Sequence, residues 1–197
     1  MAYPTVSAPY GFKPINRIDG LPYAGATRQL SIASGAAGMY YGDLVTLATG
    51  GTVTRFSGTT TGSMVGVFVG CSYNNPTTGQ PTFSQYWPNG TVVTGAVAYV
   101  VDDPMALFQV AVTDGSSVVV STTTIAARGA NMSVILGSGG STTTGDSSMS
   151  VLAGSEDTTA SLPIRVIDVV PATQTSTGYP EILVKLNTHQ YNSTTGV

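Results

Sequence analysis

Charge is what this chain has least of. Lys, Arg, Asp and Glu make up 9% of its 197 residues, against about 25% in an ordinary soluble domain. The seven Lys and Arg stand singly between Lys13 and Lys185. There is thus no basic stripe to follow phosphates, and nucleic acid is not an expected partner. The single histidine, His189, offers a nucleophilic triad one base, close to the C-terminus and with no ligand partners around it. Its ordinary role is structural. No CxxC or HxxxH spacing occurs, so neither a His/Cys metal site nor any cofactor is expected. The one cysteine, Cys71, cannot close an internal disulfide. It sits in an apolar run, where a free thiol packs as a small hydrophobe, and this points to synthesis in a cytoplasm. No run reaches the ~18 apolar residues of a membrane span. The start at Met1-Ala2-Tyr3-Pro4 lacks the basic and apolar regions of a secretory signal.

What the chain has in place of charge is Thr, Ser, Asn and Gly, alongside 42% hydrophobic residues. Ten Tyr and five Phe argue against disorder. A surface so poor in charge is weakly protected against association. It suits a protein buried in an assembly, or an extracellular β-protein with a hydroxyl-rich skin.

The stretch from Met64 to Val112 organises the rest. It holds MVGVFVGCSY, TFSQYW and AVAYVVDDPMALFQVAV, three apolar and aromatic runs separated by Gly-, Pro- and Asn-rich turns. Such runs read as buried strands. Gly66 and Gly70 in the first leave room for a close backbone or a bulky neighbour. AVAYVV and ALFQVAV, joined by Asp102-Asp103-Pro104-Met105, read as a hairpin. Before this stretch come RQLSIA, MYYGDLVTLA and TVTRF. After it come SVVV, then STTTIAARGANMSV with a little helical character, then PIRVIDVV and EILVKL. A Gly/Ser/Thr loop near 137–148, expected to be long and exposed, continues through VLAGSEDTTASL. The fold class is therefore mainly β: a small β-barrel or sandwich of about ten short strands with an extended N-terminal arm.

Residues 1–28 form that arm, and 29–197 the β domain. Pro4, Pro9, Pro14 and Pro22 exclude helix, and the apolar residues between them are unlike a solvated linker. The segment should lie on a surface, either its own domain or a neighbouring subunit. Tyr3, Pro4, Tyr10, Phe12, Pro14 and Arg17 are its candidate partner-contact residues.

Other motifs carry less. Asp102 and Asp103, adjacent before a proline, are turn formers; calcium at Asp102, Asp103 or Asp114 lacks any known ligand spacing. Gly137-Ser138-Gly139-Gly140 has no following Lys and no strand-to-helix context, so it is not a phosphate loop. Tyr86 and Trp87, paired inside a short strand, read as core or as a candidate subunit interface, with stacking on a sugar as the alternative. No enzymatic constellation emerges.

The ordered blocks APYGFKPIN, GATRQLSIASG, YYGDLVTL, VGVFVGCSY, FSQYWP, AYVVDDPMALFQV and LVKLNTHQY resemble virion proteins of tailed bacteriophages. In character they are most like capsid decoration, or cement, proteins. The resemblance implies a non-enzymatic contact role, binding to a major capsid protein across capsomer seams on the outer head shell. It also implies a homotrimer and synthesis in the host cytoplasm. A tail or fibre adhesion module, reading carbohydrate through Tyr73, Tyr86, Trp87 and the 137–148 loop, is the alternative.

Overall fold

The run that follows Met64 becomes the longest strand, β6 (Gly66–Asn74), and the fold is built around it. The computed structural model describes residues 8–114, 125–174 and 178–193. These residues are mainly β, in a nearly closed, barrel-like arrangement of many short strands. In chain order the other strands are β1 (Lys13–Arg17), β2 (Arg28–Ser31), β3 (Met39–Tyr40), β4 (Leu44–Leu47), β5 (Val53–Arg55), β7 (Pro81–Ser84), β8 (Tyr86–Trp87), β9 (Val97–Val101), β10 (Ala106–Thr113), β11 (Asn131–Met132), β12 (Val134–Ile135), β13 (Ser150–Leu152), β14 (Ile164–Val169) and β15 (Glu181–Leu186). The surplus over ten consists of pairings only two or three residues long.

One sheet runs β11–β14–β15–β10–β13–β12, with β1 also paired to β10. The second runs β2–β9–β6–β4–β5, with β7 also paired to β6, and β3 pairs with β8 on its own. The first sheet lays Phe108, Val110, Val166, Ile182 and Val184 on a core completed by Phe12, Leu44, Val67 and Val101. A second core gathers Val45, Phe68, Cys71, Trp87, Ala98 and Val100. Neighbours along one strand therefore serve different cores: Val67 and Val101 face the first, Phe68 and Val100 the second. That is why these runs are apolar at every position rather than at alternate ones.

Gly66 lies where β6 and β9 meet, and a Cβ there would overlap the Val101 carbonyl. Gly70 sits in the irregularity where β6 slips by one residue against β9, at φ +152°. Both glycines answer to a close backbone, as their positions in an apolar strand suggest.

Several local expectations change. The runs at 97–101 and 106–113 do not form a hairpin: β9 pairs with β2 and β6, whereas β10 pairs with β1, β13 and β15. Asp103 accepts hydrogen bonds from the Met105 and Ala106 N–H groups, making the link a corner between two stacked sheets. Stacked sheets stand ~10 Å apart, twice the spacing of paired strands. TFSQYW breaks at Gln85 into β7 and β8, which pair with different partners. The helical character near 125 amounts to one 3-10 turn, Ile125–Ala127.

The Gly/Ser/Thr loop is exposed at Thr142, Thr143 and Thr144, but Ser147 and Met149 are buried. The chain after it, expected to continue as loop, forms β13, with Val151 in the first core. SVVV lies outside the described residues.

Candidate functional site

The second sheet outruns the first core, and this leaves one of its faces open. On β9, Val101 faces that core, and Tyr99 and Val97 share its face two and four residues away. Across the sheet Val97 stands opposite Ser72, which stands opposite Phe83 on β7. The Tyr99 hydroxyl, donating to Ser72 Oγ at 3.2 Å, ties the same face together. Val97, Tyr99 and Val69 are only half-buried, and Phe83 is 77% exposed, the most exposed large hydrophobic residue described.

Shallow hollows lie on either side of Phe83. One, about 310 Å³, is walled by Phe83 and Tyr99 over Val69 and Gly70; the other, about 190 Å³, lies toward Tyr73 and Gly95. No lining residue of either is charged. Such a face can hold an uncharged surface or chain by burial and backbone contact; it offers no acid, base or cation to a reaction.

The N-terminal contact candidates lie elsewhere. Tyr3 and Pro4 fall outside the described residues. Phe12 is fully buried in the first core and so serves its own domain rather than a partner. Pro14 sits opposite Phe108 in the β1–β10 pairing, on an edge strand where the missing N–H is tolerated. Tyr10 donates its hydroxyl to Glu181 on β15, with the Lys13 ammonium 4.5 Å above its ring. Burial, helped by Glu181, raises the phenol far above its ordinary range. Arg17, half-buried, pairs with Asp19 at 3.0 Å and with Asp103 at 3.2 Å. From Tyr10 to Arg17 the segment is thus stitched to its own β domain, because Phe12 finds a core and β10 offers an unfilled edge.

The aromatic pair also moves. Trp87 is fully buried, donating its indole N–H to the Ala36 carbonyl at 3.3 Å, with Tyr73 edge-on at 5.1 Å. It is a core residue of this chain and presents no ring to a subunit or a sugar. Tyr86, half-buried, stacks on Tyr40 at 5.7 Å.

Among the polar residues, Asp43 was not foreseen. It is fully buried. Its carboxylate accepts from Arg55 Nε at 2.9 Å, the Tyr40 N–H at 2.9 Å and the Ser147 hydroxyl at 2.5 Å. Arg55 also donates to the Leu136 carbonyl. Burial raises the Asp43 pKa, opposed chiefly by Arg55 and Ser147. The cluster anchors the 136–148 loop to the β3–β5 region. The sequence hint was a lone Asp beside Gly42 at the start of an apolar strand, with an Arg in the next.

Asp102 pairs with Arg28, and Asp103 caps its own turn. His189 is buried; its Nδ1 accepts from the Tyr191 N–H at 3.1 Å, and desolvation lowers its pKa. The Cys71 thiol lies in the second core, pushed up to about 12 by burial. Among the described residues no group of three or more His, Cys, Asp or Glu could hold a metal ion, and no helix is long and apolar enough to cross a membrane.

Sequence reasoning missed Phe83. Its signal was a lone aromatic in the polar stretch Gln80–Gln85. No family model, no curated protein and no solved structure matches this chain.

Proposed function

We propose that this protein is a capsid decoration protein of a tailed bacteriophage, non-enzymatic, acting with its own copies and with the major capsid protein on the outer head shell. The observation that carries this reading is the uncharged sheet face around Phe83, apolar and open in a chain of which only 9% of residues are charged. The ordered resemblance to virion proteins supports it from the side of the sequence. A packaged genome pushes outward, and a shell fails where its capsomers part. A protein seated over the seam adds contact that must be broken first. A standard interface buries ~1,200–2,000 Å², at ~25 cal/mol per Å² of its apolar part, less the entropy of association. A contact without charge also keeps its strength across a wide range of salt.

The test is co-sedimentation of the purified protein with shells lacking it, followed by heating and osmotic shock. Bound protein and shells that survive a higher temperature are the expected result. A folded protein that ignores shells, or binds them without changing their resistance, overturns the proposal.

A further inference from the structure

We propose that His189 is an acid-operated latch: protonation of its imidazole releases the 3-10 turn Gln190–Asn192 from the β domain and uncovers the backbone at Met64 and Leu47. The turn is held there by its neighbours on both sides of the ring. The Met64 N–H donates to the Thr188 carbonyl at 3.0 Å, and the Gln190 N–H donates to the Met64 carbonyl at 2.8 Å. The Gln190 side chain spans Leu47, accepting from its N–H at 2.9 Å and donating to its carbonyl at 3.4 Å. Between these two anchors His189 is 1% exposed.

The way the ring is used leaves no place for a second proton. Its Nδ1 accepts from the Tyr191 N–H at 3.1 Å and so caps the turn. A nitrogen that accepts carries no hydrogen, and the proton of the neutral ring is therefore on Nε2. That Nε2 is buried and makes no hydrogen bond. A buried donor without a partner is uncommon and costs the closed state something already. In the imidazolium both nitrogens donate. An Nδ1–H would then meet the Tyr191 N–H, two donors face to face, and the cap would be lost.

The surroundings do not repair that loss. The charged and titratable groups about the ring are Asp102 and Asp103 from the corner after β9, Arg28 from β2, and Tyr191 of the turn itself, whose ring stands 5.2 Å from the imidazole. Arg28 holds Asp102 and Arg17 holds Asp103, so both carboxylates are already engaged. Desolvation disfavours the charged ring, and it outweighs the help given by Asp102, Asp103 and the backbone of Val65. The open turn, with its ring in water, binds the proton more tightly than the closed one. Opening is therefore favoured as pH falls below the ordinary histidine value of about 6.5, by up to about tenfold per pH unit.

Hydrogen exchange of the full chain, resolved by residue and corrected for the intrinsic effect of pH on exchange, tests this between about pH 7.5 and 5.5. Protection of the Gln190 and Tyr191 N–H groups should fall with pH by up to about tenfold per unit below 6.5. Low urea should leave that protection unchanged, because a turn exposes little surface when it opens, whereas the amides of β10 should respond. In His189→Gln, whose side chain accepts but does not titrate, the pH dependence should vanish. Turn amides indifferent to pH, or a dependence that persists in His189→Gln, would overturn the latch. So would turn amides that exchange only together with β10 and with the same urea response, since His189 would then be a buried residue of the whole fold. The wild-type urea series decides between local and global opening even if His189→Gln folds poorly.

Discussion

The two ends of the β6–β9 pair differ in what covers them rather than in what they are made of. At one end Val67 and Val101 are sealed by the first core while Phe68 and Val100 are sealed by the second. At the other, Ala98 and Cys71 still face the second core, but Val97, Tyr99 and Ser72 look outward beside Phe83. An apolar residue on a strand thus says that some neighbour is required, without saying whether that neighbour belongs to the same chain. The sealed end accounts for stability and the open end is left exposed.

That division can be broken by mutation, beginning where the effect is greatest. Phe68→Ala empties a site buried against the second core and should cost about 3–5 kcal/mol in urea unfolding. Asp43→Ala, which strands the Arg55 guanidinium beside an apolar core, should cost a similar ~3–5 kcal/mol. Gly66→Ala forces β6 away from the Val101 carbonyl and should cost about 1–3 kcal/mol or more, read as a lower midpoint of thermal unfolding.

Acid probes the sealed region next. His189 is held neutral below its ordinary 6.5 by desolvation. The unfolded chain therefore takes up a proton that the folded chain refuses. Stability should be full above pH 6.5 and fall as pH drops below it, by at most ~1.4 kcal/mol per pH unit. His189→Gln should flatten that slope between about pH 6.5 and 5.5, before most carboxylates titrate. The smallest effect belongs to the open end, where Phe83→Ser should change unfolding free energy by no more than about 0.5 kcal/mol. If it unfolds as easily as Phe68→Ala, the two ends are not different in kind.

Much of this was legible in the chain. The runs at 66–74, 97–101 and 106–113 announced strands because β-branched and aromatic residues crowd between Gly, Asn and Pro. Pairing was less legible, because sequence neighbours do not reveal which sheet a strand joins. The Asp102–Met105 link is short enough for a hairpin, and its role as a corner depends on Phe108 and Val110 finding the first core. The short aromatic run around Trp87 fits a core or a contact residue equally; the carbonyl of Ala36 and the edge of Tyr73 make it internal. Asp43 was hidden for the same reason, since Ser147 reaches it from 104 residues away.

The slip in β6 between Phe68 and Gly70 has its own consequence. Were the strand regular, the side chains beyond it would trade places: the Ser72 hydroxyl would be turned into the hydrocarbon around Trp87, and Cys71 and Tyr73 would be put out into water. A single inserted residue sets the phase of everything after it. The boundary between the part of the strand that folds the molecule and the part it shows to others is drawn by the backbone at Val69 and Gly70.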